Sequence, residues 1–432
     1  MHKKISVGVL LASVILAVAL TVSVTMVIAI RYFNSTVSDV TQRQAMFEYV
    51  TDVDKIVRYH YNGTIDEEKL RRALGKGYID GIDDPYAAYL SSDEYKEALD
   101  ARKGKETGFG LELALSDNGR MIVSRVHPNS TADKAGIEKG DVLTAVNGNE
   151  VSASDFSSVN RTLSDAPKVI LSVRRGDTPH AFEISTSTYD FVSVEGRLTG
   201  SDIGLIRLYS VNDRTPDQFK TVYESLQKQG ASRFIFDVRD NVGGSPEAIE
   251  KILAFLVPEG PYAQQTDNAG KTTYLTSDNG RAMTSPSVTL VNSRTAGEAE
   301  LFAGVLQELG KTTVVGELTA GKGMIQELYT VNNDGAAVRL SVAERRLIKA
   351  GGIEDKGITP DEEVKLRDQL ALVEEPDDTP LQAAIRRLSS GGTTTQPTGT
   401  TTGATSPTTE PSKSGSPRVV TTAPRTTTRK AF

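Results

Sequence analysis

Lys322 lies between two glycines in GELTAGKG (316–323), and it is the residue of this chain best suited to act as a base. Only four histidines occur in the 432 residues, His2, His60, His127 and His180, and none falls within 190–370. A Ser-His-Asp triad contained in that stretch is therefore excluded. The chain has no cysteine, which removes a thiol nucleophile, thiolate zinc ligation and a disulfide framework. A hydroxyl nucleophile would then depend on a lysine, and lysine serves as a base only where burial lowers its pKa. Flanking glycines let backbone and substrate approach it closely. Taken alone, Gly-Lys-Gly is as easily a surface turn. The same stretch fits Gly-x4-Gly-Lys, but it ends in Gly323 where a phosphate loop needs Ser or Thr for magnesium. Met324–Val331 then has strand-like composition, so nucleotide binding is not expected. No metal or cofactor is expected either.

Residues 291–326 read VNSRTAGEAELFAGVLQELGKTTVVGELTAGKGMIQ. This stretch resembles the catalytic segment of the carboxyl-terminal processing peptidases, or tail-specific proteases. In that family an Asn or Asp precedes the nucleophilic Ser by five residues, a small-residue run ends in Glu, and a Lys and a Gln follow. Asn292, Glu300, Lys322 and Gln326 match without a gap, but the position of the Ser is Gly297. The resemblance implies Lys322 as base and Gln326 as its orienting partner. It also implies an oxyanion hole from the backbone amide of Gly243 or Gly244, in DVRDNVGG (237–244), and that of Glu298. Backbone donors survive side-chain changes, and each carries about 3–4 kcal/mol in serine hydrolases. Two further stretches, DDPYAAYLSSDEY (83–95) and GITPDEEV (357–364), also resemble family signatures.

Thr295 and Ser293 are the nearest hydroxyls to the vacant position. Thr295-Ala-Gly-Glu298 fits a capping box for the helix that follows, with Thr295 as cap and Gly297 in the first turn. That role accounts for Thr295, and a nucleophile misplaced by about 1 Å already loses roughly a hundredfold in rate. Glu298 replaces a small residue, and its carboxylate is expected to raise the pKa of Lys322. The favoured expectation is a pseudopeptidase that binds C-terminal tails. The alternative is a serine-type endopeptidase with an unrecognised nucleophile. A third reading, a ligand-binding protein reusing the fold, has no residue in its favour.

The elements that must position these residues are legible in outline. The expected architecture is an α/β (α+β) peptidase core with an inserted PDZ domain, an N-terminal helical segment, a transmembrane anchor and a disordered tail. In the core, Gly204–Tyr209, Arg233–Val238, Ser287–Val291 and Thr312–Val315 read as strands. Pro216–Gln229, Pro246–Leu256 and Glu298–Leu309 read as helices, giving α/β order over 190–370. Residues 106–189 resemble a PDZ domain: GFGLEL (108–113) is its carboxylate-binding loop and next strand, and HPNSTADKAGIEKGDVLTAVNGNEV (127–151) its middle. The amides of Phe109, Gly110 and Leu111 would then receive a peptide carboxylate while the peptide adds as a strand.

Toward the N-terminus, 34–105 reads as helical, with a 3.6-residue apolar period in Val40–Tyr61 and a cap at Asp66. Residues 1–33 carry Lys3, Lys4 and an apolar run from Ile5 to Ile30, long enough for a single membrane crossing. This predicts an uncleaved signal anchor in the cell membrane with the bulk of the chain extracytoplasmic; a cleaved signal peptide is the alternative. Residues 371–388 are expected to be a linker or helical extension. Residues 389–432 are Thr-, Ser-, Gly- and Pro-rich and are expected to be disordered. A net charge of −7 leaves no nucleic-acid footprint. The expected partners are C-terminal peptide tails of extracytoplasmic proteins, the membrane, and further copies or active relatives in a homo- or hetero-oligomer.

Overall fold

The computed structural model describes residues 7–280, 282–331, 335–367 and 369–390. They fall into two units, divided between Asp83 and Asp84. The first contains α1 (Val7–His60) and α2 (Glu67–Asp80). Asp66 caps α2 by accepting from Lys69 N at 3.0 Å, and Arg58 forks onto Asp54 and Glu67. The apolar stripe of α1 stays exposed at Phe47, Val50, Val53, Ile56 and Val57. Residues 1–6, and most side chains as far as Asp39, lie outside the described residues. Among the described residues no helix is long and apolar enough to cross a membrane. The expected tail, beyond Ser390, also lies outside the described residues.

The second unit opens with β1 (Ala88–Leu90) and α3 (Ser92–Arg102), which Ser91 and Glu94 start with a reciprocal capping box. Residues 34–105, expected to be helical, carry the rest of α1, α2 and α3, with β1 between the last two and the start of a further strand at their end. The signature at 83–95 belongs to the second unit, where β1 pairs with a strand about 250 residues later. The chain then forms β2 (Lys105–Gly108), β3 (Leu111–Leu115), β4 (Met121–Val126), α4 (Thr131–Ala135), β5 (Val142–Val146) and β6 (Asn149–Glu150). α5 (Phe156–Asp165), β7 (Lys168–Arg175), β8 (Thr178–Ser185) and β9 (Ser187–Asp190) complete this part. Its sheet runs β3-β4-β5-β7-β8, which leaves β3 at an edge, and β2 pairs with β9 to close the two ends of the insertion. Val123, Val169, Leu171 and Val173 fill its own core.

Beyond it lie β10 (Val194–Thr199), β11 (Ile203–Leu208), α6 (Thr215–Lys228), β12 (Arg233–Asp237), α7 (Pro246–Leu256), β13 (Gly260–Asp267) and β14 (Thr272–Ser277). Next come β15 (Ser287–Val291), α8 (Glu298–Glu308), β16 (Thr313–Gly316), β17 (Met324–Thr330), β18 (Ala337–Leu347), β19 (Gly351–Gly352), β20 (Glu362–Glu363) and α9 (Thr379–Ser389). The sheet β10-β11-β12-β15-β16-β20 is parallel except for β10. Side chains alternate across it, as the two-residue period of a strand requires. Phe234 and Phe236 pack against Phe219 and Phe302 on one face, while Ile203, Leu205, Ile235 and Leu290 meet α9 on the other. Residues 371–388, expected to be a linker or helical extension, run into the helix α9. Leu381, Ala384 and Leu388 of α9 are buried, and Asp378 at its cap holds the buried Arg239 at 2.7 Å. A second sheet joins β1, β13, β14, β17, β18 and β19.

Candidate active site

Three loops meet at the carboxyl ends of β12, β15 and β16, where open α/β sheets place their ligand crevices. The first follows β12. Asn241 is fully buried, donates to Leu208 O at 3.0 Å and accepts from Gly243 N at 2.9 Å. Gly244 must be glycine: a Cβ there would lie 1.9 Å from Val211 O.

The second loop follows β15. Asn292 bonds both ways with Asp240, through Nδ2 to its carboxylate and through Oδ1 from its amide. Thr295 Oγ1 accepts from Asn292 N and donates to Val238 O, both at 3.0 Å, and the residue is fully buried. The capping box expected at Thr295 is thus one residue pair out. α8 starts after Gly297, and it is Glu300 that reaches back, accepting from Gly297 N at 3.0 Å. The pattern misleads because Thr295 bonds across to the β12 end instead of along its own helix. Gly297 has φ 61° and ψ −121°, a conformation that strains any residue with a Cβ.

The third loop carries Lys322. Glu300 is fully buried, and its carboxylate takes Gly321 N and Lys322 N, each at 2.7 Å, and the Thr319 hydroxyl. One Glu300 oxygen therefore holds both the amide of Gly297 and the amide of Lys322. Glu354 takes the next two amides, Gly323 N at 2.6 Å and Met324 N at 3.0 Å. The phenol of Tyr86 donates to Glu354 at 2.9 Å, and burial followed by that bond pushes the phenol pKa up. The Lys322 ammonium nitrogen lies 5.1 Å from the centre of the Tyr86 ring. Burial holds Lys322 below the ordinary lysine pKa, and Arg339 adds to this, while Glu298, Glu354 and Glu300 pull the other way. Burial of this kind shifts a lysine toward the neutral form that a base requires.

Tyr86 and Glu354 were not among the residues expected here. Their signal lay in Asp-Asp-Pro-Tyr (83–86) and Gly-Gly-Ile-Glu (351–354), but nothing local ties either to Lys322. Gln326 lies on β17 beyond the loop, and its amide donates to Met324 O at 2.5 Å, back along its own strand. Among the described residues it makes no hydrogen bond to Lys322.

Of the expected oxyanion donors, the two glycine amides are engaged. Gly243 N–H turns to Asn241, and Gly244 N–H donates to Glu298 Oε2 at 2.8 Å. The Glu298 carboxylate sits so close over the turn that a Cβ on Gly243 would meet it at 2.3 Å. Glu298 N lies beside the same turn, 3.0 Å from that Cβ position. Intact donors were expected because backbone groups survive substitution, but here a neighbouring side chain takes one of them. Among the described residues no cluster suited to a metal ion occurs.

At the loop expected to bind carboxylates, Gly110 has φ 77°, and a Cβ on it would lie 2.0 Å from Ser130 Cβ. Its carbonyl accepts from His127 N, and that of Phe109 accepts from Ala132 N. Among the described residues neither amide has an acceptor. Leu111 starts the edge strand β3 beside them.

An α/β core with a lysine loop at its strand ends and a sheet domain inserted ahead of it is the arrangement that known proteins share with this chain. Residues 202–364 match peptidase family S41, and residues 122–175 match a PDZ domain. The chain is 28% identical over 330 residues to the carboxy-terminal processing protease CtpA of Bacillus subtilis (strain 168), covering 76% of this chain and 70% of the relative. It is also 28% identical over 320 residues to the carboxyl-terminal-processing protease of Synechocystis sp. (strain ATCC 27184 / PCC 6803 / Kazusa), covering 72% and 75%. A crystal structure from Bacteroides fragilis NCTC 9343, assigned to the S41 proteases, shares the fold at a TM-score of 0.54 and 18% identity, covering 77% of this chain and 93% of that one. The chain thus carries a peptidase family S41 domain and a PDZ domain, and the curated relatives it resembles are named carboxy-terminal processing proteases.

Proposed function

We propose that this chain is a membrane-anchored member of the family that binds protein C-termini without cleaving them. One observation carries the reading. Gly297 offers no nucleophilic atom, and the carboxylate next to it occupies the Gly244 amide that a developing oxyanion would need. Thr295 supplies no substitute, since its hydroxyl is buried and committed to Val238 O. The anchor at 1–33 rests on the apolar run in the sequence and places the rest of the chain outside the cytoplasm. Assembly with further copies or with active relatives would bring a cleaving site to a tail held here.

The test is a fluorophosphonate probe on the wild-type protein, which should stay unlabelled. Labelling that disappears in Thr295→Val would overturn the reading in favour of a shifted nucleophile.

Tail binding is assigned to the free amides at Phe109 and Gly110 and to the edge of β3, the arrangement used in strand addition. A peptide with an apolar last residue should bind at least about tenfold more tightly as the free acid than as the amide, the worth of one charge-assisted hydrogen bond. Gly110→Ala, which drives a methyl into Ser130, should abolish the difference. Equal affinity for acid and amide would remove carboxylate recognition from this loop.

A further inference from the structure

The loop that carries Lys322 is pinned along its backbone and left open at its amine. Glu300 holds the amides of Gly321 and Lys322, and Glu354 those of Gly323 and Met324, so four successive peptide groups are fixed. The side chain has no such commitment. Among the described residues its nitrogen makes no hydrogen bond and no ion pair, yet it is not sealed from solvent. What it meets is the ring of Tyr86. Beside the loop the structure leaves room. Glu300 Oε2 accepts from both Lys322 N and Gly297 N, which brings the two backbones side by side. Gly297 fills none of the space next to it, and a Cβ there would find nothing nearer than Val242 O at 3.4 Å.

An amine in such a place is a nucleophile in its own right. Partial burial disfavours its charged form, and no donor among the described residues takes its lone pair. The charges that act on it come from three sides. Glu298 and Glu300 belong to α8, Glu354 follows β19, and Arg339 of β18 is tied to Tyr86 O through Nε at 3.1 Å. For the free amine, burial outweighs the three carboxylates. For an incoming molecule the balance is different. Three carboxylates against one guanidinium repel an anion, and they favour a cation that forms at the nitrogen. Glu300 and Glu354 are taken up with the loop amides, which leaves Glu298 as the carboxylate most able to face such a cation.

We propose that Lys322 is a covalent attachment site for small uncharged aldehydes, which it captures as an imine. The amine lone pair forms the new N–C bond, the carbonyl π pair moves to oxygen, and one amine proton ends on that oxygen. The resulting carbinolamine then loses its hydroxyl with the second amine proton as water, while the nitrogen lone pair closes the C=N bond. Amine and aldehyde thus give imine and water, with no oxidant or reductant. Taking up a proton makes the imine an iminium, the cation that Glu298 faces. Aldehyde capture uses the same lysine as the non-cleaving site described above. Labelling of Thr295 by a fluorophosphonate would leave it unaffected, so the two readings fail separately.

The test incubates the purified full chain with butanal and sodium cyanoborohydride, which reduces the iminium to a stable secondary amine, and locates the alkylated lysines by peptide mass spectrometry. At pH 7 Lys322 should be modified at least about tenfold faster than exposed lysines such as Lys55 and Lys365, because each unit by which an amine pKa falls raises its neutral fraction about tenfold. Its rate should also level off at a lower pH than theirs, which accessibility alone would not produce. Glyoxylate, an aldehyde of smaller size that carries a carboxylate, should show no preference for Lys322. The wild-type chain supplies both the site and its reference lysines, so no variant has to fold. Modification of Lys322 no faster than that of the exposed lysines, or a pH profile that matches theirs, overturns the proposal. A preference of Lys322 for glyoxylate over butanal overturns the choice of an uncharged substrate.

Discussion

Gly297→Ser combined with Glu298→Ala should turn the protein into a protease for unstructured, apolar-tailed substrates, while Lys322→Ala in that background should silence it again. The geometry allows the first change. A Cβ on Gly297 would stand 3.4 Å from Val242 O and 3.8 Å from Gly243 Cα, ordinary contacts. The cost is backbone strain, because φ of 61° with ψ of −121° disfavours a side chain by about 1–3 kcal/mol. The single variant should therefore melt lower than wild type and cleave weakly. Removing Glu298 then acts twice. It frees the Gly244 amide, a donor type worth about 3–4 kcal/mol in the transition state, or roughly a hundred- to a thousandfold in rate. It also deletes a carboxylate that favours protonated Lys322. Lysine works as the base when neutral, so activity should rise with pH through the lysine pKa. That limb should lie below the ordinary lysine range and move to lower pH when Glu298 is removed. A double variant that folds but cleaves nothing would mean that the substrate groove itself has changed. The protein would then be a binding module.

Glu300→Gln should cost more stability than a typical substitution in this chain, although Glu300 touches no substrate. The wild-type carboxylate accepts from Gly297 N, Gly321 N, Lys322 N and the Thr319 hydroxyl in a fully buried place. An amide can offer one acceptor oxygen and turns two donors toward the rest. Each buried donor left unmet costs about 1–3 kcal/mol, so a loss of about 2–5 kcal/mol is expected. For domains of 150–250 residues this corresponds to a fall in Tm of about 2–4 °C per kcal/mol, measurable by calorimetry. Loss of the negative charge should also release the Lys322 loop, so the double variant above should lose its activity when Glu300→Gln is added. A Tm change under about 2 °C would show that the carboxylate is not what joins the two loops.

Much of this site is readable from local pattern. Pro216 and Pro246 sit in the first turns of α6 and α7, where a missing N–H is harmless, and both helices begin within a residue of expectation. The apolar runs of β12 and β15 mark strands covered on both faces. What stayed hidden depends on partners distant in sequence. Tyr86 meets Glu354 across 268 positions, and no periodicity in either neighbourhood encodes that. Thr295 had a sufficient local explanation, which a bond to Val238 O displaced. Glu298 read as a neighbour that raises the pKa of Lys322, as it does, but nothing local showed that its carboxylate also takes the Gly244 amide. α9 read as an extension because a polar tract follows it, although Leu381, Ala384 and Leu388 give it a buried face.

The pairing of β1 with β18 also sets an order of events in time. Ala88 opposes Arg339, and the PDZ domain lies wholly between them. At about 5–20 residues per second of synthesis, roughly 13–50 seconds separate the appearance of one strand from that of the other. The PDZ sheet closes over much shorter stretches, its widest strand pairing joining Val142 to Arg174. It is therefore complete while β1 still waits, and Tyr86 has no Glu354 or Lys322 to meet until nearly the whole core has been made. A growing chain of this protein completes its PDZ sheet before the chamber around its lysine exists.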